Sequence, residues 1–339
     1  MDNANNKGFA RVIEIINEFK IEFILILLII VSALISPSFM TLSNWMTILG
    51  GRSAMKGIIA FGMTFVIICG EIDLSIGSTV ALSGIVAAKI MISLETSGMS
   101  QGMIGLVAVL CALLVGAAIG AVNGFFMVTF NMPSFIVTLG MVNIGKGLSQ
   151  IIAPYTLTGL PGWFKWFGAG RLFQTSSTDA MTLRNLPPVP ALFLIIAFLA
   201  AWLVLKKTKF GRAVYAVGGN AEAARLSGIN VKKVKMIVMM IVSVAAAFAG
   251  IIMSSSSNTA AFTFGEGWEM DVIASVIIGG ASMAGGSGNA IGTLVGVIFF
   301  GVVNNIMTLF GVGTAMQYVV LGALVIIAVL LNSIKTKKG

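Results

Sequence analysis

"MIGLVAVLCALLVGAAIGAVNGFFMVTF", residues 103–130, contains no charged side chain. A helix of ~20 apolar residues crosses the ~30 Å hydrocarbon layer of a bilayer, and this run is longer than that. Its apolar residues are continuous, whereas strands of a membrane barrel alternate in and out over ~10 residues. Backbone polar groups find no water inside a bilayer, so such a run must close its own hydrogen bonds as a helix. The stretch therefore points to an all-α, polytopic membrane protein.

The rest of the chain has the same character. Apolar residues make up 58% of the 339 and charged residues 10%, and the mean hydropathy is +1.02. Further charge-free windows run over 23–36, 57–70, 191–205 and 290–310. Apolar runs centred near Leu27, Phe61, Val86, Leu114, Leu139, Ala197, Val244, Ile277, Val295 and Ala323 predict about ten spans. Five of the seven prolines fall between Pro154 and Pro190, so 153–190 reads as an external loop rather than a span.

Charge gives the orientation. Fourteen of the 21 Lys and Arg residues lie in 7–20, 206–235 and 335–338. With the N-terminus inside and ten spans, all three clusters are cytoplasmic, as the positive-inside rule requires. Arg52 and Lys56 are exceptions, because this count places them outside. The expected organisation is a cytoplasmic segment 1–20, a transmembrane domain 21–333 and a cytoplasmic basic tail 334–339. Within the domain, 206–235 is a cytoplasmic loop and 153–190 an extracytoplasmic one. The net charge of +9, so distributed, reads as membrane topology rather than nucleic-acid binding.

Several chemistries are excluded or disfavoured. The chain has no histidine, which removes His-based metal sites and proton relays. Cys69 and Cys111 sit in apolar runs and read as small packed hydrophobes. Lys7, Arg11 and Lys20 precede the first apolar run as in a signal peptide, but the many later spans favour an uncleaved first helix. "GMVNIGKG", residues 140–147, has the Gly-x4-Gly-Lys core of a phosphate loop. It lacks the Ser or Thr that should hold magnesium and has no preceding strand. Lys146 there reads as a side chain reaching for an interface. No cofactor is expected on this chain.

Other motifs concern packing and helix breaks. Gly116, Gly120 and Gly124, and likewise Gly292 and Gly296, have the four-residue spacing of close helix contacts in membranes. "CGEIDLSIGS", residues 69–78, sets Glu71 and Asp73 into an apolar stretch. A charge at mid-bilayer costs ~2.5–3.5 kcal/mol, so the motif is either a polar turn at a membrane face or a helix break lining a wet cavity. Ser75 and Ser78 are candidates to cap the helix that follows. A second Gly-rich break spans 277–292, and its "VIIGG" echoes "VIICG" at 66–70, a hint of an internal repeat. Asn123, Asn143, Asn304 and Asn305 lie inside spans, where helix–helix hydrogen bonds or a polar pathway would use them. Glu71, Asp73, Ser75, Asn123, Asn304 and Asn305 are the candidate pathway residues.

One stretch is neither apolar nor loop-like: "GGNAEAARLSGINVKKVK", residues 218–235. Gly218 and Gly219 break the chain, and Asn220 is a good N-cap. "AEAARLS" is a two-turn helix, and Gly228 is a C-terminal stop. Basic residues flank it on both sides. A short polar helix thus hangs between two anchors, with a small Ala-rich face able to dock on a partner.

"YAVGGNAEAARLSGINVKKVK", "GMTFVIICGEIDLSIGS" and "GWEMDVIASVIIGGASMAGGSGNAIGTLVGV" together resemble bacterial ribose-type sugar ABC transporter permeases. The resemblance runs from about Ser36 to Ser333. It implies a membrane-spanning importer subunit of the bacterial plasma membrane that works as two copies in lipid and has no nucleotide site. ATP and magnesium would bind a cytoplasmic partner ATPase, which would dock on a coupling helix formed by Gly218, Gly219, Asn220, Ala223, Ala224, Ser227 and Gly228. A sugar-loaded binding protein would dock outside. Ribose, galactose-type hexoses and furanose signalling molecules all fit this resemblance. From another class, an ion-coupled secondary sugar transporter would use Glu71 or Asp73 instead and would need no coupling helix. A membrane-embedded enzyme finds no nucleophile–base pair.

Overall fold

The computed structural model describes residues 20–172 and 187–336. The expected N-terminal segment 1–20 falls almost wholly outside the described residues, as do part of the 153–190 loop and the last residues of the basic tail. Among the described residues there is no β-strand, and the β-type pairings are isolated bridges, Leu157 with Ala260 and Arg171 with Pro188. The helices are α1 Lys20–Ile35, α2 Leu42–Gly50, α3 Arg52–Ile68, α4 Ile76–Leu94, α5 Gln101–Phe130, α6 Ser134–Ile152, α7 Lys165–Ala169, α8 Val189–Lys207, α9 Lys209–Gly219, α10 Ala221–Leu226, α11 Val231–Ser257, α12 Trp268–Ile278, α13 Ala290–Leu309 and α14 Thr314–Thr336.

Six of these, α4, α5, α6, α8, α11 and α13, are long and apolar enough to cross a membrane, and α2 with α3, bent by 43°, makes a seventh. Every predicted span centre falls inside a helix. The helix α12, with 11 residues, is too short to cross alone. The chain is therefore an all-α, multi-pass membrane protein.

Local chemistry fixes the helix ends. Ser100 Oγ accepts from Met103 N at 3.4 Å, and Asn289 Oδ1 accepts from Gly292 N at 2.7 Å. These side chains satisfy donors that the first turn leaves open.

Helix α11 is the axis of the bundle and packs against α3, α4, α5 and α7. Lipid tails are as apolar as Leu, so helices in a bilayer associate mainly by close packing. The Gly116/Gly120/Gly124 stripe supplies it. A methyl on Gly116 would lie 2.7 Å from the Ser243 carbonyl oxygen, and one on Gly120 would lie 2.6 Å from that of Met239. The second stripe joins α12 to α13: a methyl on Gly292 or Gly296 would meet the carbonyl oxygens of Gly279 and Ser275 at 1.8 and 1.9 Å.

The echo between "VIICG" and "VIIGG" has a structural counterpart. At the end of α3, Gly70 N donates to Ile67 O and Glu71 N to Val66 O; at the end of α12, Gly280 N donates to Ile277 O and Ala281 N to Val276 O. Gly70 and Gly280 take φ of 77° and 93°, a left-handed closure that favours glycine. Beyond these ends the two segments differ, a short link to α4 against a long loop to α13.

The first part of the 153–190 loop is an ordered cap on α11. Ser255 Oγ accepts from Gly168 N at 2.7 Å and donates to the Phe164 carbonyl at 2.5 Å. Phe164 is fully buried and Trp166 is 45% exposed. Trp163 is tied to Gln101 by its ring N–H at 2.5 Å.

Candidate functional site

The polar helix exists where the sequence places it. Asn220 Oδ1 accepts from Ala223 N at 2.9 Å, so α10 begins with the expected cap. It ends at Gly228, φ 82°, with Ile229 N donating to Ala224 O at 3.0 Å. Ala224 is buried, whereas Ala223, Arg225, Leu226 and Ser227 are exposed. Leu226 is 75% exposed, an apolar side chain on the outer surface of a polar helix. Glu222 and Arg225 pair through two hydrogen bonds, and the guanidinium holds the Glu222 carboxyl below its usual range.

The two glycines ahead of α10 differ in role. A methyl on Gly218 would lie 1.6 Å from the Ile68 carbonyl oxygen and 2.7 Å from Gly286 N, whereas one on Gly219 would meet nothing within 4 Å. Gly218 thus wedges the end of α9 between the two helix breaks. The breaks are themselves joined, Gly286 N donating to Ile68 O at 2.8 Å. Tyr215 OH donates to Gly288 O at 2.7 Å and pins α9 to the second break. One junction therefore unites the segment leading into α10, the end of α3 and the loop after α12. Sequence reasoning singled out all three stretches but not their meeting, nor Tyr215.

The six candidate pathway residues lie in three places. Asp73, Ser75 and Asn123 come together and are fully buried. Asp73 Oδ1 accepts from Ser75 N at 2.7 Å and from Ser75 Oγ at 2.6 Å, and Asp73 Oδ2 accepts from Ser243 Oγ at 3.5 Å. Asn123 Nδ2 donates to Ser75 Oγ at 2.9 Å. A buried carboxylate is tolerated only where hydrogen bonds replace its water, and these do so. The capping expectation needs correction here. Ser75 occupies the N-cap position of α4, but its side chain makes no capping bond because Asp73 takes its hydroxyl. Ser78 Oγ instead donates to the Ser75 carbonyl at 2.9 Å.

Glu71 lies elsewhere, paired with Lys235 at the start of α11. Lys235 belongs to the cluster that flanks α10, and the pair lines a cavity of about 420 Å³ with Ala221, Lys232 and Asn131. Asn305 exchanges two hydrogen bonds with Asn44, at 3.0 and 2.8 Å, and so ties α13 to α2. Asn304 donates to the Phe300 carbonyl at 2.9 Å. It lines a second cavity of about 170 Å³ with Arg52, Lys56, Asp271 and Gln317. There Lys56 pairs with Asp271 and lies 5.7 Å from the centre of the Trp268 ring. Lys56, an exception to the charge pattern, is thus neutralised across α3 and α12. The phosphate-loop reading is closed by α6, which is one continuous helix over 140–147. Lys146 there pairs with Glu266 at 2.9 Å.

The model of the family described as "Branched-chain amino acid transport system / permease component" matches residues 46–329. The chain belongs to that family. Among its relatives is the ribose import permease protein RbsC of Escherichia coli K12, 40% identical over 317 residues, which are 92% of this chain and 92% of that protein. RbsC of Bacillus subtilis is 38% identical over 315 residues, covering 92% and 91%. The galactose/methyl galactoside import permease protein MglC of Haemophilus influenzae is 32% identical over 341 residues, covering 98% of each chain. No solved structure matches the chain.

Proposed function

We propose that the chain is the membrane-spanning subunit of an ATP-driven bacterial importer that passes a monosaccharide, ribose or a close relative of it. The observation that carries this reading is the likeness to ribose import permeases, which runs over nine-tenths of both chains. The lower identity to the galactose permease makes a hexose the second choice. The subunit crosses the membrane ten times with both termini inside, α12 and its flanking loops making one of the crossings. Two copies form the transporter in lipid of the plasma membrane, and a sugar-loaded binding protein docks on the face opposite α10.

The ATPase, which holds ATP and magnesium, docks on α10 through Ala223, Ser227 and the exposed Leu226. Gly218, Gly219, Asn220, Ala224 and Gly228 shape and anchor that helix. Movement of α10 passes through Gly218 to the ends of α3 and α12 together, because packed segments shift as units rather than deform. Asp73, Ser75 and Asn123 hold the start of α4 against α5 and α11. An ion-coupled carrier would have no use for this linkage. The test is sugar uptake by proteoliposomes holding the chain, its partner ATPase and its binding protein. Ribose accumulation that requires ATP and survives a protonophore supports the reading. Accumulation that follows an ion gradient without ATP overturns it.

A further inference from the structure

An ion pair stands in the open at mid-height of the bundle. Lys146 on α6 and Glu266, in the non-helical segment ahead of α12, meet at 2.9 Å with side chains 42% and 64% exposed. Their depth follows from packing. Gly116 contacts Ser243 and Ala247, near the middle of both α5 and α11, while Gly145 faces Ser78 and Gly250 faces Val80. At 1.5 Å per residue, Lys146 lies within ~10 Å of the middle of the two longest helices. The hydrocarbon layer reaches ~15 Å either side of its centre. Charges at that depth are costly against lipid and are found facing protein or water.

Two further observations point the same way. Glu266 lies between Gly265 and Gly267, with φ of 77° and 78°, in backbone outside any helix. Irregular backbone at membrane depth is tolerated only where it is buried in protein or lines water, and Glu266 and Gly267 are exposed. Helix α6 also carries a polar stripe. Its buried face is Ser134, Thr138, Met141, Gly145 and Ser149. The opposite face bears Asn143, Lys146 and Gln150, at spacings of three and four residues that share one side of a helix. Asn143 and Gln150 are exposed, and methyl groups on the neighbouring Gly140 and Gly147 would meet nothing within 4 Å. Exposed Ile144, 55%, and Leu148, 44%, turn to a different side.

We infer that the Asn143–Lys146–Gln150 stripe of α6, with Glu266, forms the wall of the water-filled path along which the polyhydroxylated solute passes. The inference rests on the sugar-importer reading and adds the residues that touch the solute. Amide and charged groups on one smooth face can exchange hydrogen bonds with successive hydroxyls, and the two glycines leave room beside them. The same wall places Asp73 and its partners behind α4, as support rather than contact.

The test uses the assembled importer in proteoliposomes, with Cys69 and Cys111 replaced by alanine. Asn143→Cys, Gln150→Cys, Ile144→Cys and Leu148→Cys are each treated with a charged, membrane-impermeant methanethiosulfonate, and ATP-driven ribose uptake is followed in the same vesicles. Thiols react as thiolates, which hydrocarbon suppresses. Asn143→Cys and Gln150→Cys should therefore be modified at least ten-fold faster than the other two, and uptake should then fall at least five-fold in those two variants alone. Equal, slow modification at all four positions in vesicles that still take up ribose overturns the wall and leaves the importer reading standing. Fast modification that leaves uptake unchanged also overturns it. Vesicles that show the ten-fold contrast but take up no ribose before modification, with ATP present, keep a hydrated wall and remove the sugar from it.

Discussion

A single methyl group separates Gly218 from Gly219 in consequence. On Gly218 it would collide with the Ile68 carbonyl, while on Gly219 it would meet open space. Gly218→Ala should push α9 away from both helix breaks and reduce ATP-driven uptake at least ten-fold, whereas Gly219→Ala should stay within about two-fold of the parent. Uptake rates of the two variants, normalised to the amount inserted, check the contrast. Asp73 allows an equally sharp comparison. An amide there can still accept both Ser75 bonds on its oxygen and donate to Ser243 Oγ, so Asp73→Asn should keep uptake within several-fold. Asp73→Leu leaves the Ser75 amide and hydroxyl and the Ser243 hydroxyl without their buried acceptor, at a cost of ~1–3 kcal/mol for each unsatisfied group, and should lower the melting temperature of the purified protein. Loss of all uptake in Asp73→Asn with unchanged stability would instead mark the charge itself as functional.

At the scale of the element, α10 is too short to be stable alone; isolated helices below ~12–15 residues are marginal in water. It is held by the Asn220 cap, the Gly228 closure and the buried Ala224. Ala224→Pro removes the bond from Ala224 N to Asn220 O, 3.0 Å, and brings a ring clash worth ~3 kcal/mol or more. The spans are untouched, so insertion should persist while uptake and association with the ATPase are lost. Co-purification with the ATPase and sugar-stimulated ATP hydrolysis are the measurements, and normal values for both would remove α10 from the coupling path. Helix α12 poses a different problem. It joins the junction at Gly218 to the segment bearing Glu266, and its Asp271 neutralises Lys56 of α3. Asp271→Asn leaves Lys56, only 20% exposed, without a counter-charge. Removing one partner of a buried pair typically costs ~3–5 kcal/mol; allowing for the partial exposure here, a loss of ~1–3 kcal/mol is expected. Thermal unfolding in detergent reads it, and Lys56→Met together with Asp271→Leu should recover most of it.

For the whole molecule, the arrangement requires α10 and the α4–α5 turn to lie on opposite sides of the membrane. In a chain lacking Cys69 and Cys111, Ser97→Cys should react with an impermeant thiol reagent in intact cells whose outer barrier has been opened. Ser227→Cys should react only after lysis. The reverse pattern would put α10 out of reach of a cytoplasmic ATPase. Both serines are exposed, so a lack of labelling at one of them reports sidedness rather than burial.

Composition and hydropathy determined the fold class, because a run such as 103–130 has one stable state in a bilayer. Local rules likewise determined α10, since a cap, a small-residue helix and a stop glycine act within ten residues of one another, and the packing stripes, whose spacing is a helix period. The tertiary structure alone decided which polar groups meet. Asp73 and Ser243 lie far apart in sequence, as do Lys146 and Glu266, and no local pattern distinguishes a charge that is buried and bonded from one that faces water. The pathway candidates read from the chain were chosen for being polar inside apolar runs, and that criterion gathers residues from three separate places. It also passed over Lys146, read from the sequence as a side chain reaching for an interface, because its meaning depends on a partner 120 residues away. Depth and exposure are properties of the packed bundle, set by where Gly116, Gly145 and Gly250 let the helices touch, and only the folded chain assigns them.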